Sequence, residues 1–174
     1  GEYYDGLWSL GKRDGKGEYG YLDGSVYRGE WRDDVINGRG VMEYASGNVY
    51  DGEWLNGEIN GKGKLKHENG DVYDGYWKDG HMNGKGVYTY STGDEYNGEW
   101  KDDKRHGKGK VVYRDENGRE IETYEGDWAE GKMHGRGVYH YSDGDVYEGD
   151  WFEGRMHGRG RYVYASGNVY EGDM

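Results

Sequence analysis

One short pattern, Tyr-x-Gly-x-Trp followed by a two-glycine element, recurs along almost the whole chain. The interval between successive opening tyrosines is 23 residues, with a single step of 28. The opening tyrosines are Tyr4, Tyr27, Tyr50, Tyr73, Tyr96, Tyr124, Tyr147 and Tyr170. A fixed period in this range is typical of arrays in which each unit packs on its neighbours. We therefore predict one continuous repeat array over residues 1–174.

Each unit contains two stretches that alternate with period two and are bounded by Gly, Asn and Asp, a pattern typical of a β-hairpin. The chain has no proline, which suits an uninterrupted hydrogen-bonded ladder. Because an isolated hairpin is marginal in water, successive hairpins should pair edge to edge. The predicted fold class is all-β, an elongated single-layer antiparallel sheet of about seven and a half repeats. The longer step indicates a five-residue insertion within residues 114–123, which we expect to lengthen a turn.

Antiparallel pairing about a six-residue loop after the tryptophan predicts Trp31 opposite Gly38 and Gly29 opposite Gly40. A glycine opposite an indole leaves room for the ring on the partner strand. On the other face, the same register predicts pairs of opposite charge within each hairpin. These pairs are Glu30 with Arg39, Glu53 with Lys62, Glu99 with Lys108, Asp127 with Arg136, and Asp150 with Arg159.

Aromatic residues must replace most of an ordinary hydrophobic core. Only 32% of the chain is hydrophobic, and 16% is aromatic. We expect the seven tryptophans to stack along the array and hold it together. They are Trp8, Trp31, Trp54, Trp77, Trp100, Trp128 and Trp151. The net charge of −12 disfavours binding to nucleic acid and to anionic lipid, and the lack of cysteine excludes disulfides and thiolate chemistry.

The repeat unit resembles the MORN repeat (membrane occupation and recognition nexus), as in "GRGVYHYSDGDVYEGDWFEG" at residues 135–154. The resemblance covers essentially the whole chain. Asp34 and Asp103 depart from the pattern, since glycine is usual at this loop position. The resemblance implies a scaffold of the kind found in cytoskeletal, ciliary and membrane-junction proteins. We also expect the chain to be a piece of a longer array.

Motifs for catalysis or cofactor binding are weak. The Gly-x-Gly elements precede no predicted helix, so they are not phosphate loops, and the carboxylates follow a repetitive charged stripe. We therefore predict no enzyme activity and no cofactor. His134 and His157 hold equivalent positions one repeat apart, too far for a shared zinc within one chain. They could bind a metal only between two chains, so no metal site is predicted in one chain.

Two binding surfaces are predicted from the remaining apolar residues. A shallow groove for a peptide would be lined by second-strand tyrosines, namely Tyr88, Tyr90, Tyr139, Tyr141, Tyr162 and Tyr164. A patch for self-association would lie in the last repeats, at Met133, Phe152, Met156 and Tyr170. A further row of residues is expected at the loop tips: Ile36, Ile59, Met82, Met133 and Met156, interrupted by Arg13 and Arg105.

These features favour a non-enzymatic scaffold that binds protein partners and forms a homodimer through its C-terminal repeats. The expected setting is cytoplasmic, in association with the cytoskeleton or a membrane. One alternative is a module that associates with phospholipid membranes, which the net charge of −12 disfavours. Another is a repeat that captures small ligands in aromatic cages, although such repeats lack the Tyr-x-Gly-x-Trp pattern.

Overall fold

The computed structural model describes all residues from 1 to 174 and contains strands and turns with no helix. The strands are β1 (Tyr3–Ser9), β2 (Lys12–Gly20), β3 (Val26–Arg32), β4 (Val35–Glu43), β5 (Val49–Leu55), β6 (Glu58–Lys66), β7 (Val72–Lys78), β8 (His81–Thr89), β9 (Glu95–Lys101), β10 (Lys104–Arg114), β11 (Glu120–Ala129), β12 (Lys132–His140), β13 (Val146–Phe152), β14 (Arg155–Val163) and β15 (Val169–Asp173). The chain forms two compact units, residues 1–82 and 83–174, which we call the first and second units. Because the chain has no helix, it has none that is long and apolar enough to cross a membrane.

Strand order follows chain order within each unit. In the first unit, β1 to β7 pair antiparallel, each with the next. In the second unit, β8 to β15 pair in the same way. The predicted fold class, an open antiparallel sheet of tandem hairpins, is confirmed.

The turn inside each hairpin is shorter than the predicted six-residue loop. Arg32 pairs with Val35, so that Asp33 and Asp34 alone connect β3 to β4. Both aspartates have positive φ, 48° and 69°, as the tight turn with matching twist between two strands requires. Aspartate tolerates this conformation, which explains how Asp34 replaces the usual loop glycine.

A β-bulge with two extra residues in β4 accounts for the residues that the short turn does not use. Gly29 pairs with Gly40 as predicted, but Trp31 pairs with Ile36 and not with Gly38. Between these two pairs, β4 advances by four residues while β3 advances by two. Gly38 pairs instead with Trp54 of the following repeat. The predicted Trp31–Gly38 pair is therefore wrong, because a bulge shifts the register beside the turn.

The bulge also changes the partners of the charged stripe. Arg39 pairs across the strands with Glu53 of the next repeat, and not with Glu30 of its own hairpin. Glu30 contacts Arg39 differently, since its Oε2 accepts the backbone N–H of Arg39 at 2.6 Å. Glu99 accepts the N–H of Lys108 in the same way, at 2.8 Å. The predicted charge pairs within hairpins are therefore wrong as ion pairs, because these carboxylates satisfy donors that the bulge exposes.

The insertion lengthens strands and not a turn. β10 has 11 residues and β11 has 10. The corresponding strands one repeat earlier, β8 and β9, have 9 and 7. The connecting turn closes with the N–H of Asp115 donating to the oxygen of Arg119, as Tyr90 does to Asp94 in the repeat before. A register shift lies between Tyr113 and Arg114. The expected longer turn is therefore wrong, because the extra residues extend the ladder.

The core of each repeat is a tyrosine ring lying on a pair of glycines. Tyr50 is fully buried, and a Cβ built on either Gly52 or Gly63 would overlap its ring or hydroxyl. Its hydroxyl donates to the oxygen of Glu53 at 3.0 Å. The indole of Trp54 is held by the preceding repeat, because its Nε1–H donates to the oxygen of Gly40 at 3.1 Å. The glycines therefore allow both rings to lie close to the backbone.

Tyrosines and tryptophans alternate along each unit. Tyr27 meets Trp31 and Trp54 edge-on, with ring centroids 5.4 and 5.5 Å apart, and in the second unit Tyr124 meets Trp128 and Trp151 at 5.2 Å. Edge-to-face pairs at such distances are favourable. The indoles therefore do not form the simple stack that the sequence predicted, since tyrosines lie between them.

Candidate functional site

The open sheet of the second unit has one face formed by the rings and glycines, which we call the aromatic face. Tyr96, Tyr124 and Tyr147 are fully buried along it, and further tyrosines from the second strand of each hairpin lie beside them. Tyr139 pairs with Tyr147, and Tyr162 pairs with the same residue on its other side. The aromatic face therefore continues past the buried core toward the turns between repeats.

Three tyrosine pairs line this outer part of the face. The ring centroids are 4.6 Å apart for Tyr88 and Tyr90, 4.3 Å for Tyr139 and Tyr141, and 4.7 Å for Tyr162 and Tyr164. The rings of Tyr141 and Tyr162 stack at 5.9 Å, which joins the last two pairs. These rings are half-buried or exposed. The residues predicted to line a groove thus lie on one face, and those of the last two repeats form one cluster.

Carboxylates fix two of these rings. The hydroxyl of Tyr139 donates to Glu122 at 2.6 Å, and that of Tyr162 donates to Asp145 at 2.8 Å. The hydrogen bond from Tyr139 lowers the pKa of Glu122. Burial, together with this carboxylate, raises the pKa of Tyr139. A neutral phenol facing an ionised carboxylate is the stable arrangement, so the rings are held in place before any ligand binds.

The row expected at the loop tips lies instead within strands on the aromatic face. Met133 pairs with Trp128, and Met156 pairs with Trp151. The hydroxyl of Tyr141 reaches the sulfur of Met156 at 3.9 Å. These methionines therefore extend the aromatic face, and the placement at the loop tips is wrong because the hairpin turn has two residues.

In the fifth repeat, Arg105 lies opposite Trp100, at the position that Met133 and Met156 hold in the next two repeats. Its guanidinium lies over the rings of Tyr96 and Trp128, 4.9 and 5.0 Å from their centroids. Its Nη2 donates to the hydroxyl of Tyr90 at 2.6 Å. In the sequence this arginine interrupts an apolar row, whereas in the structure it places a cation among the rings of the aromatic face.

The residues predicted for self-association do not all share a face. Met156 and Tyr170 lie on the aromatic face, as Tyr170 pairs with Tyr162. Phe152 follows Trp151 in β13 and so points to the opposite side. Its exposed ring lies between two imidazoles, 5.3 Å from that of His134 and 5.7 Å from that of His157. The residues predicted for self-association therefore lie on two opposite faces of the sheet.

An aromatic ring separates the two histidines that were considered for a metal site between chains. His134 and His157 have the ring of Phe152 between them. No group of three or more histidine, aspartate and glutamate side chains is placed to hold a metal ion. The opposite face has a shallow groove with charges of both signs, among them Lys110, Glu125 and Arg136. A lining with charges of both signs does not favour a ligand of one particular charge.

Comparisons with known proteins agree with the fold. The model of the MORN repeat family matches residues 4–26, 27–49, 50–72, 73–95, 96–118, 124–146 and 147–169. Each matched segment begins at one of the predicted opening tyrosines. No curated protein sequence matches the chain.

The chain aligns over nearly its whole length with two solved structures. The TCP domain of Drosophila melanogaster SAS-4 (dCPAP), solved in complex with a proline-rich motif of Ana2 (dSTIL), has a TM-score of 0.54 at 12% identity. The similarity covers 99% of this chain and 90% of that chain. The TCP10 domain of Danio rerio CPAP, in complex with a peptide of STIL, has a TM-score of 0.38 at 12% identity, covering 99% and 94% of the two chains.

Proposed function

Because the chain belongs to the MORN repeat family, we propose that it is a non-enzymatic scaffold whose aromatic face binds a segment of a protein partner. The observation that supports this most is the set of accessible tyrosine pairs on the second unit. Two of the rings are ordered by carboxylates, Tyr139 by Glu122 and Tyr162 by Asp145. Rigid aromatic rings with a polar tip bind peptides at little entropic cost. The proposal assigns no catalytic step to the chain.

The similar fold of the SAS-4 TCP domain supports a protein ligand. That domain was solved with a proline-rich motif of another protein bound to it. An open sheet of this kind can therefore hold a peptide. The net charge of −12 makes anionic lipid a less suitable ligand than protein.

The proposal includes self-association through the C-terminal repeats. Phe152 is 53% exposed, and Met156 and Tyr170 are also exposed. A two-fold axis that brings together the faces carrying Phe152 in two chains would bury both copies of this ring. We place the resulting dimer in the cytoplasm, in an assembly of the cytoskeleton or of a membrane junction, as the occurrence of MORN arrays implies.

Site-specific photo-crosslinking tests the proposed binding face. A photoreactive phenylalanine analogue would replace Tyr141 or Tyr164 on the aromatic face, and Glu148 or Arg161 on the opposite face. We expect covalent adducts with the same partner from both aromatic-face positions and none from the other two. Adducts confined to Glu148 and Arg161, or no adduct from any position, would overturn the proposal. The identified partner would then be bound to the purified chain to confirm direct contact.

A further inference from the structure

We infer that the partner segment is a polyproline II helix that crosses the strands of the second unit and places one acidic side chain against Arg105. This inference rests on the proposed function, since it specifies the ligand of the same aromatic face. Three features of the structure support it: the unpaired charge of Arg105, the spacing of the repeats, and the pairs of tyrosine rings.

Arg105 has its charge on an aromatic surface without a carboxylate partner. Its guanidinium contacts Tyr90, Tyr96 and Trp128, and its one hydrogen bond goes to the neutral hydroxyl of Tyr90. No ion pair of the structure includes it. Because a guanidinium has five N–H donors, most of its donors remain available to a ligand.

Arg13 in the first repeat provides an internal comparison. It lies over Trp31 with a distance of 4.4 Å to the ring centroid, much as Arg105 lies over Trp128. Its charge is neutralised within the chain, because Nε lies 3.2 Å from Oδ1 of Asp34. At the corresponding place in the sixth repeat the chain has Gly131, whose N–H donates to the oxygen of Arg105. The carboxylate that neutralises Arg13 is thus missing beside Arg105, and a ligand can supply it.

The repeat spacing matches one turn of a polyproline II helix. Neighbouring strands lie about 4.8 Å apart, so two strands advance roughly 9.6 Å. A polyproline II helix has three residues per turn and advances about 3.1 Å per residue, or roughly 9.3 Å per turn. Every third residue of such a segment would therefore meet the same position of successive hairpins.

The tyrosine pairs suit the shape and chemistry of this ligand. Rings 4.3 to 4.7 Å apart form ridges beside which a proline ring can pack. Polyproline II has no internal hydrogen bonds, so its carbonyl oxygens can accept from tyrosine hydroxyls. Because the chain has a net charge of −12, further acidic residues in the ligand would be repelled. The inferred ligand therefore has one acidic residue among neutral ones.

Binding of synthetic peptides to the full chain tests the inference. The probe is a fluorescent peptide of prolines with one central glutamate, measured by fluorescence anisotropy at physiological salt. The same peptide with glutamine in place of glutamate should bind about tenfold more weakly, the change expected when a charge-assisted hydrogen bond is lost. A glycine-serine peptide with the same glutamate should bind at least as weakly, because it is not preorganised.

Two charge-matched variants locate the contact. Arg105→Met inserts the residue that the chain itself has at Met133 and Met156, so the fold should be retained. It should remove the preference for glutamate over glutamine. Lys110→Met removes one positive charge from the exposed opposite face and should leave that preference unchanged. The inference is overturned if both variants behave alike, or if the wild-type chain binds all three peptides equally.

The peptide and crosslinking experiments can fail separately. Adducts from Tyr141 and Tyr164 without measurable binding of the proline peptide would leave the binding face intact and refute the ligand class. Absence of any adduct from the aromatic face, together with absence of peptide binding, would refute both.

Discussion

Gly38 lies directly opposite Trp54, the tryptophan of the next repeat, and not opposite Trp31 of its own hairpin. The second strand of every hairpin is thus a platform for the aromatic ring that follows it in sequence. The indole Nε1–H of Trp54 completes this arrangement by donating to Gly40, at 3.1 Å. The repeats are therefore joined by specific contacts as well as by the ladder, and their effect on stability can be measured.

Gly63→Ala should destabilise the first unit by about 1–3 kcal/mol, as overpacking does. The new methyl group would overlap the ring of Tyr50, and the backbone at Gly63 is not left-handed, so the loss would report the overlap alone. Lys64→Ala, at an exposed neighbouring position, should change stability by less than about 0.5 kcal/mol. Urea unfolding followed by tryptophan fluorescence gives both values. Equal losses of stability in the two variants would show that the packing of Tyr50 does not require a glycine at position 63.

Glu99→Leu should cost about 1–2 kcal/mol, because it leaves the bulge N–H of Lys108 without its acceptor. Leu7 occupies this position in the first repeat, so the substitution is one that the repeat tolerates. Glu99→Gln keeps an oxygen acceptor at the same place. Its loss of stability should therefore be less than half of the loss in Glu99→Leu. Thermal unfolding of the three proteins tests this; a glutamine variant as unstable as the leucine variant would assign the effect to charge alone.

Alkaline pH should destabilise the fold through its buried tyrosines. Burial raises the pKa of Tyr27, Tyr50, Tyr96 and Tyr124, so the folded chain holds these protons more tightly than the unfolded chain. Stability should be constant below the ordinary tyrosine pKa of about 10 and fall as the pH rises through the interval up to the folded pKa values. The urea midpoint measured between about pH 8 and pH 11 tests this. A midpoint that stays constant to the upper limit would contradict it.

Phe152→Lys should weaken the proposed dimer. The ring is 53% exposed, so its replacement should not unfold the monomer. Leu22→Lys is the control, because Leu22 is 77% exposed in a turn of the first unit. Light scattering over a range of concentrations should give a dimer for the wild-type chain and for the control, and a monomer for Phe152→Lys. A wild-type chain that is monomeric throughout would disprove the dimer.

The hairpin repeat and the pairing of Gly29 with Gly40 could be predicted because they depend on periodicity and on the alternation of side chains. The pairing of Trp31 was harder to predict, since the position of a bulge depends on local backbone torsions. A signal was available nevertheless: Asn56-Gly57 and Asp79-Gly80 are typical two-residue turns. A turn placed there leaves two residues over, which only a bulge can absorb.

Only part of the candidate site could likewise be predicted from the sequence. That the tyrosines of the predicted groove share one face could be predicted, because every second residue of a strand points to the same face. The role of Arg105 could not, because a long side chain can extend either to solvent or across neighbouring rings. Its hydrogen bond to Tyr90 depends on a residue from the preceding repeat, and a single-repeat pattern does not reveal such a partner.

The pairing of each indole with the glycine strand before it gives the array a polarity. Trp8, which no glycine strand covers in this structure, is 59% exposed, whereas the other six tryptophans are 5% or 6% exposed. A cut between any two repeats would thus leave unlike ends: a bare indole on the C-terminal piece and an empty glycine strand on the N-terminal piece. Complementary ends of this kind can rejoin head to tail, but two copies of the same end cannot reproduce the contact. Fragments of the array should therefore recombine in the order of the chain.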